Sequence, residues 1–287
     1  MKLKKFIINI VAVVMLVVSS LCFTACQDIV KLEVKFDIYN YDTEAMYSAE
    51  DSTMTVELYR HLAPQTVDAI KKNVENKDYD NMLVYKFADI NKTQYMMGDL
   101  KYDQNGNIQK VILPEIYGEF EKNGVSGSNL KVERGSIGVW RSYYACDSGL
   151  ITSSNARNSS RGTWFMPTSA NNSLEGKVCI FGKVDLSDAV VSNLFDAIAE
   201  IFNSADNYVN YEIYYTGEYD ETKPNEDFGL KFNCVLEEDF NEEEISNLFE
   251  TEEDKQQLNW YNHYTISVPV FIANNQTLKV SSIRVVK

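Results

Sequence analysis

Histidine is scarce in this 287-residue chain, which contains only His61 and His263. The two lie far apart in sequence, which argues against a histidine-based catalytic triad or a zinc site. Cysteine is also sparse, with five residues and no Cys-x-x-Cys spacing. The sequence therefore predicts neither a metal nor a cofactor.

Positive charge is the next shortage. The chain has 27 Lys and Arg against 42 Asp and Glu, a formal net charge of −15. Such a surface repels phosphate backbones, so we expect no nucleic acid partner. At 45% hydrophobic and 12% aromatic residues, the chain has enough apolar area for one large domain or two small ones, unlike a disordered acidic protein. No internal repeat is evident.

The N-terminus has the pattern of a targeting segment. Lys2, Lys4 and Lys5 precede an apolar run over residues 6–23, and the next residues, Thr24 and Ala25, are followed by Cys26. This resembles the lipobox of bacterial lipoproteins. The resemblance implies a signal peptide at residues 1–25, a lipidated Cys26, a tether at residues 26–31, and an extracytoplasmic protein that is lipid-anchored to the bacterial cell membrane. The alternative is an uncleaved anchor helix.

After removal of a signal peptide and lipidation of Cys26, three cysteines remain: Cys146, Cys179 and Cys234. They allow one disulfide with a free thiol, or three buried thiols. The simplest interpretation gives them a structural role.

Alternating apolar residues predict strands at 32–41 and 54–59. Ala63-Pro64 opens one predicted helix, and Ser187-Asp188 caps a second. Shorter strands are predicted at 164–166 and 178–184, and the last eighty residues show strand patterns separated by acidic runs. The polar stretch at 141–163 indicates a long surface loop. Residues 103–107 form only half of a calcium loop, because Pro114 stands where a Glu ligand is needed, and we interpret them as a β-turn.

Residues 79–99 combine an apolar segment, a single cation within it at Lys86, and a turn at Gly98-Asp99. Two interpretations fit this pattern. It is either an edge strand with a solvated lysine or the wall of a binding groove.

Taken in order, the segments of the chain resemble the cyclophilin family of peptidyl-prolyl cis-trans isomerases over residues 32–203. The matching segments are VKFDI at 34–38, VELY with APQTV at 56–67, Tyr79-Asp80, Gly98-Asp99, GEF at 118–120, NGV at 123–125, LK at 130–131, RGSI at 134–137, WFM at 164–166, and LEGK to FGKV at 174–184.

The resemblance implies a mainly β fold: a closed antiparallel eight-stranded barrel with two capping helices and an α+β insertion near the C-terminus. The barrel would span residues 32–205, the acidic insertion or subdomain residues 206–277, and the closing strand residues 278–287. It also implies that the protein binds proline-containing polypeptides.

The family's catalytic residues are only partly retained. Lys86 stands where the catalytic Arg is expected and lacks the planar fork of Arg. Two extra residues between Lys86 and Gly98 leave the alignment of the next pocket residues open. The predicted substrate-binding residues are Met96, in place of a Gln, Trp140, in place of an Ala, Thr163, Phe165 and Leu174.

We therefore expect a tethered folding factor with a degenerate site and weak isomerase activity, or alternatively a catalytically inactive cyclophilin-like protein-binding module. A solute-binding lipoprotein would require two lobes, for which the sequence shows no pattern. For Lys86 a solvated strand lysine stays an open interpretation, and for Phe165 and Leu174 simple core packing does.

Overall fold

A computed structural model describes residues 28–89, 92–125, 130–141, 158, 160–216, 231–239 and 267–286. Two α-helices are present in this part of the chain, α1 (Pro64–Asn76) and α2 (Ala189–Ile201). The strands are β1 (Ile29–Asn40), β2 (Ala45–Met46), β3 (Thr53–Tyr59), β4 (Val84–Asp89), β5 (Lys92–Met97), β6 (Leu100–Tyr102), β7 (Ile108–Lys110), β8 (Ser136–Val139), β9 (Trp164–Pro167), β10 (Cys179–Val184), β11 (Tyr208–Thr216), β12 (Lys231–Leu236), β13 (Ser267–Ala273) and β14 (Leu278–Val286). The predicted class, mainly β with two helices, is confirmed.

The first strand shows why the sequence folds this way. In β1, alternate apolar side chains at Leu32, Val34, Phe36 and Ile38 are buried, and the residues between them are partly or fully exposed. The strand begins at Ile29, inside the stretch predicted as a tether.

The two helices begin where the sequence indicated. Pro64 occupies the first turn of α1, where its missing N–H leaves no bond unmade. In α2, the carboxylate of Asp188 accepts a hydrogen bond from the Val190 backbone N–H at 2.9 Å.

The main sheet has the strand order β12-β11-β13-β4-β5-β9-β8-β10-β3-β1-β14, with β2 paired to β1, while β6 and β7 form a separate hairpin. In that hairpin the Asp103 carboxylate accepts bonds from the backbone N–H groups of Asn105 and Asn107, both at 2.8 Å, as expected of a turn.

The sheet does not close into the predicted barrel, and this corrects the expectation. Two strands lie beside residues 81–87, on the side that faces away from β5. Residues 85–87 pair with β13, and β14 reaches only the segment before β4, through a bridge between Leu83 and Lys279. The Val280 carbonyl accepts from the Asn81 N–H at 2.8 Å, beside that bridge. The insertion thus contributes β11, β12 and β13 to the main sheet.

The predicted surface loop at 141–163 is also corrected where it is described. Arg141, Ser160 and Thr163 are buried. Both ends of the segment are held by backbone bonds: Trp140 N–H donates to the Thr163 carbonyl at 2.8 Å, and Ile116 N–H donates to the Ser160 carbonyl at 2.7 Å. These ends can be buried because their backbone N–H and C=O groups are hydrogen-bonded.

Cys179 is a free, buried thiol whose pKa burial raises to about 12, which fits a structural role. Cys26 and Cys146 lie outside the described residues, as does the predicted signal peptide. Among the helices of the described part of the chain, none has the length and apolar character required to cross a bilayer.

Candidate functional site

The buried apolar residues form two clusters on opposite faces of the central strands. The larger cluster, the main core, includes Val84, Tyr95, Met97 and Met166. The second cluster includes Tyr85, Phe87, Met96, Phe165, Leu174, Val178, Val270 and Ile272, with Trp140 packed against it. This division follows the alternation of side chains along β4, β5 and β9.

Most of the predicted site residues meet in the second cluster. Met96, Phe165 and Leu174 are buried within it, and Trp140 lies at its border. Residues Met96 and Phe165 are direct partners in the pairing of β5 with β9. Thr163 lies beside this group, because its backbone carbonyl accepts a hydrogen bond from the Trp140 N–H. Five of the six predicted substrate-binding and catalytic residues therefore lie together.

Lys86 lies on the other face of β4. Its direct cross-strand partners are Tyr95 on β5 and Phe271 on β13, and both pack in or against the main core. The Lys86 ammonium lies 5.1 Å from the centroid of the Phe271 ring, and burial lowers its pKa. The structure thus does not bring Lys86 together with the other predicted site residues.

Two residues of β4, Tyr85 and Phe87, belong to the second cluster, and sequence reasoning selected neither. Tyr85 is paired directly with Met96. Its hydroxyl donates to the carboxylate of Asp99, 3.0 Å from Oδ1 and 3.2 Å from Oδ2.

Asp99 links this hydroxyl to other polar groups. Its burial raises the pKa of the carboxyl, while the charge of Lys110 and hydrogen bonds from Tyr85 and Thr163 oppose that rise. The carboxylate thus holds the Tyr85 ring in place beside Met96.

Trp140 occupies the space between two other rings of the site. Its ring centroid lies 5.7 Å from that of Phe87, in a tilted arrangement, and 5.4 Å from that of Phe165, edge to face. Gly138 permits this packing, since a Cβ there would overlap the ring of Phe165. The Trp140 ring therefore packs between Phe87 and Phe165 at the border of the second cluster.

The C-terminal strands complete the wall of this cluster, which sequence reasoning also missed. Val270 and Ile272 of β13 are buried in it, and Tyr211 and Ile213 of β11 pack against it. These residues are more than a hundred positions from β4 along the chain, so no local pattern would reveal the contact.

Comparison with known proteins gives a family. The model of the family described as "Cyclophilin type peptidyl-prolyl cis-trans isomerase/CLD" matches residues 45–214. A comparison with curated proteins found no match.

Two solved structures similar to this chain are of a cyclophilin type peptidyl-prolyl cis-trans isomerase from Cryptosporidium parvum. The one determined in the presence of the dipeptide Ala-Pro is 14% identical, with a TM-score of 0.36, and the alignment covers 57% of this chain and 84% of that chain. The other is 13% identical, with a TM-score of 0.37, covering 58% and 83%.

Proposed function

Since the chain belongs to the cyclophilin-type peptidyl-prolyl cis-trans isomerase family, we propose that it is a folding factor that binds proline-containing polypeptides at the second cluster with weak isomerase activity. Two observations support the weak-activity part of this proposal. Trp140 packs between Phe87 and Phe165, and Lys86 faces away from them.

The chemistry explains why this arrangement would slow the reaction. Prolyl isomerisation crosses a barrier of about 20 kcal/mol set by amide resonance. A catalyst lowers it by seating the proline ring in an apolar recess and donating a hydrogen bond to the twisted amide. Here the Lys86 ammonium is directed to the other face, and the Tyr85 hydroxyl donates to Asp99. The apolar part of the machinery is thus better preserved than the donor.

A second candidate function is a catalytically inactive protein-binding module. The observation in its favour is that Tyr211 and Ile213 of β11, which are only partly buried, pack against the second cluster and place apolar side chains at the protein surface beside it. A partner bound through such a surface would need no donor to its peptide bonds.

The proposal also assigns the parts of the chain. Residues 32–205 and 278–287 form the family domain, and residues 206–277 form an insertion that extends its sheet. Residues 1–25 are a lipoprotein signal peptide, and lipid on Cys26 holds the mature protein outside the cytoplasm at the bacterial cell membrane. Its acidic surface disfavours nucleic acid.

A protease-coupled assay with a proline peptide tests the proposed activity. We expect turnover well below that of an active cyclophilin measured in parallel, and no further loss in Lys86→Ala. Turnover at the level of that reference enzyme, abolished by Lys86→Ala, would contradict the degenerate site. No turnover, together with measurable binding of a proline-free partner protein, would favour the binding module.

A further inference from the structure

We infer that the end of the main sheet at which β1 begins lies against a lipid bilayer. This surface, the anchor end, is defined by Ile29, Lys31, Tyr59, Arg60 and Val285. The inference rests on the proposed lipidation of Cys26, and the bilayer concerned is the one that would hold that lipid.

The length of chain between the lipid and the fold carries the inference. Asp28 is already held by the domain, because its backbone carbonyl accepts a bond from the Arg60 N–H at 2.9 Å. Its carboxylate lies 3.9 Å from the Arg60 guanidinium. Cys26 is two residues earlier, and two extended residues span at most about 7 Å. A lipid on Cys26 therefore cannot leave the anchor end far from the membrane surface.

The anchor end also has a suitable surface. Ile29 and Val285 are 36% and 38% exposed, and they are two of the few large apolar side chains exposed among the described residues. On β1, Ile29 pairs with Tyr59 of β3, and Leu32 pairs with Val285 of β14. Ile29 and Leu32 are three residues apart on β1, about 10 Å, so Ile29 and Val285 lie at the same end of the sheet, with their side chains on opposite faces.

Charge adds little to this contact. Lys31 lies 3.1 Å from Glu57, and Arg60 lies 2.7 Å from Asp68, so the cations of the anchor end have acidic partners. Attraction to anionic headgroups would need unpaired basic residues. The short tether and the exposed apolar side chains therefore determine how the domain is oriented on the bilayer. They act as the second membrane-binding element that accompanies the lipid chain.

The opposite end of β1 provides a matched control. Met46 is 52% exposed and pairs with Tyr39, ten residues along β1 from Ile29. Ten strand residues span about 33 Å, so Met46 is placed well away from the bilayer when the anchor end touches it.

The test uses the full chain, produced with its lipid and reconstituted in vesicles of phosphatidylethanolamine and phosphatidylglycerol. A genetically encoded fluorescent amino acid replaces Ile29, Val285 or Met46 in turn, and lipids with a nitroxide headgroup serve as quenchers. We expect a large loss of fluorescence at positions 29 and 285 and little loss at position 46. A spacer of twenty Gly and Ser residues inserted before Asp28, about 25 Å in mean span, should remove the difference.

The outcomes separate this inference from the proposed anchoring. If the mass of the protein shows lipid on Cys26 but all three positions are quenched equally, the orientation is wrong and the anchoring stands. If the mass shows no lipid, the anchoring is wrong and the inference falls with it. Quenching at position 29 that persists with the spacer would refute tether length as the cause.

Discussion

Replacing Trp140 with Ala should increase affinity for proline peptides while lowering stability. In the structure the indole packs between Phe87 and Phe165 at centroid separations of 5.7 and 5.4 Å. Two aromatic pairs contribute about 0.5–1.5 kcal/mol each in addition to the apolar area they bury, so Trp140→Ala should cost at least about 1–3 kcal/mol of unfolding free energy. The backbone bond from residue 140 to the Thr163 carbonyl would remain.

The gain in binding comes from the space that the indole leaves. A pyrrolidine ring placed against Phe87 and Phe165 would bury three methylene groups, worth about 0.8 kcal/mol each. The sum, about 2.4 kcal/mol, corresponds to a dissociation constant lowered about 50-fold. Calorimetric titration with an Ala-Pro peptide and its Ala-Ala counterpart would measure this, and only the proline peptide should gain.

Tyr208→Ala is the matched control for this experiment. Tyr208 is also partly buried and lies between two rings, 6.0 Å from Phe202 and 5.3 Å from Phe271, but it packs against the main core. It should lose comparable stability without any change in peptide affinity. If Trp140→Ala leaves the affinity for the proline peptide unchanged, or changes it as Tyr208→Ala does, then the indole does not occupy a proline site.

Three further predictions concern the support of the site and the fold. Asp99→Asn should raise stability to urea at neutral pH and have no effect below about pH 4. Burial raises the pKa of Asp99, so the folded chain binds this proton more tightly than the unfolded chain does, and wild-type stability falls as the pH rises from about 4 to the folded-state pKa. A stability difference that is constant with pH would contradict this. Gly138→Ala should lower the urea midpoint and cost about 1–3 kcal/mol of unfolding free energy, because the new methyl group overlaps the Phe165 ring. Adding Phe165→Leu to the same chain should recover part of this loss, and additive effects of the two substitutions would refute the clash. Glu119→Ala should lower the free energy of unfolding by about 2 kcal/mol, measured by thermal unfolding, because the Glu119 carboxylate accepts hydrogen bonds from the Gln65 and Thr66 N–H groups at the start of α1, at 3.1 and 2.7 Å. Glu119→Gln keeps one acceptor and should lose less stability, and equal losses would show that the amide carbonyl does not cap the helix.

Local patterns in the sequence predicted several of the elements. The alternation of Leu32, Val34, Phe36 and Ile38 predicted β1, because strand side chains alternate between faces. Pro64 and Asp188 predicted the starts of the two helices, because each satisfies or avoids an unpaired N–H of the first turn. The family was indicated by the order of the short motifs that resemble it, such as RGSI at 134–137 and FGKV at 181–184.

The membership of the candidate site was partly predictable. Met96, Phe165 and Leu174 meet in the second cluster as the resemblance implied, and Trp140 packs beside them. Their specific roles in binding stay predictions. Tyr85 and Asp99 were missed because their hydrogen bond depends on the register of β4 against β5.

By itself the sequence determined the class of the fold and the family, since these depend on local propensity and on the order of short motifs. The tertiary structure decided which face each residue of β4 presents. A shift of one residue in strand pairing moves every side chain to the other face, and the pairing partners, such as Phe271 for Lys86, are distant in sequence. The same long-range pairing placed β13 on the edge of β4 and left the sheet open. Lys86 therefore lies where the sequence put it along the strand, but on the face that only the fold could assign.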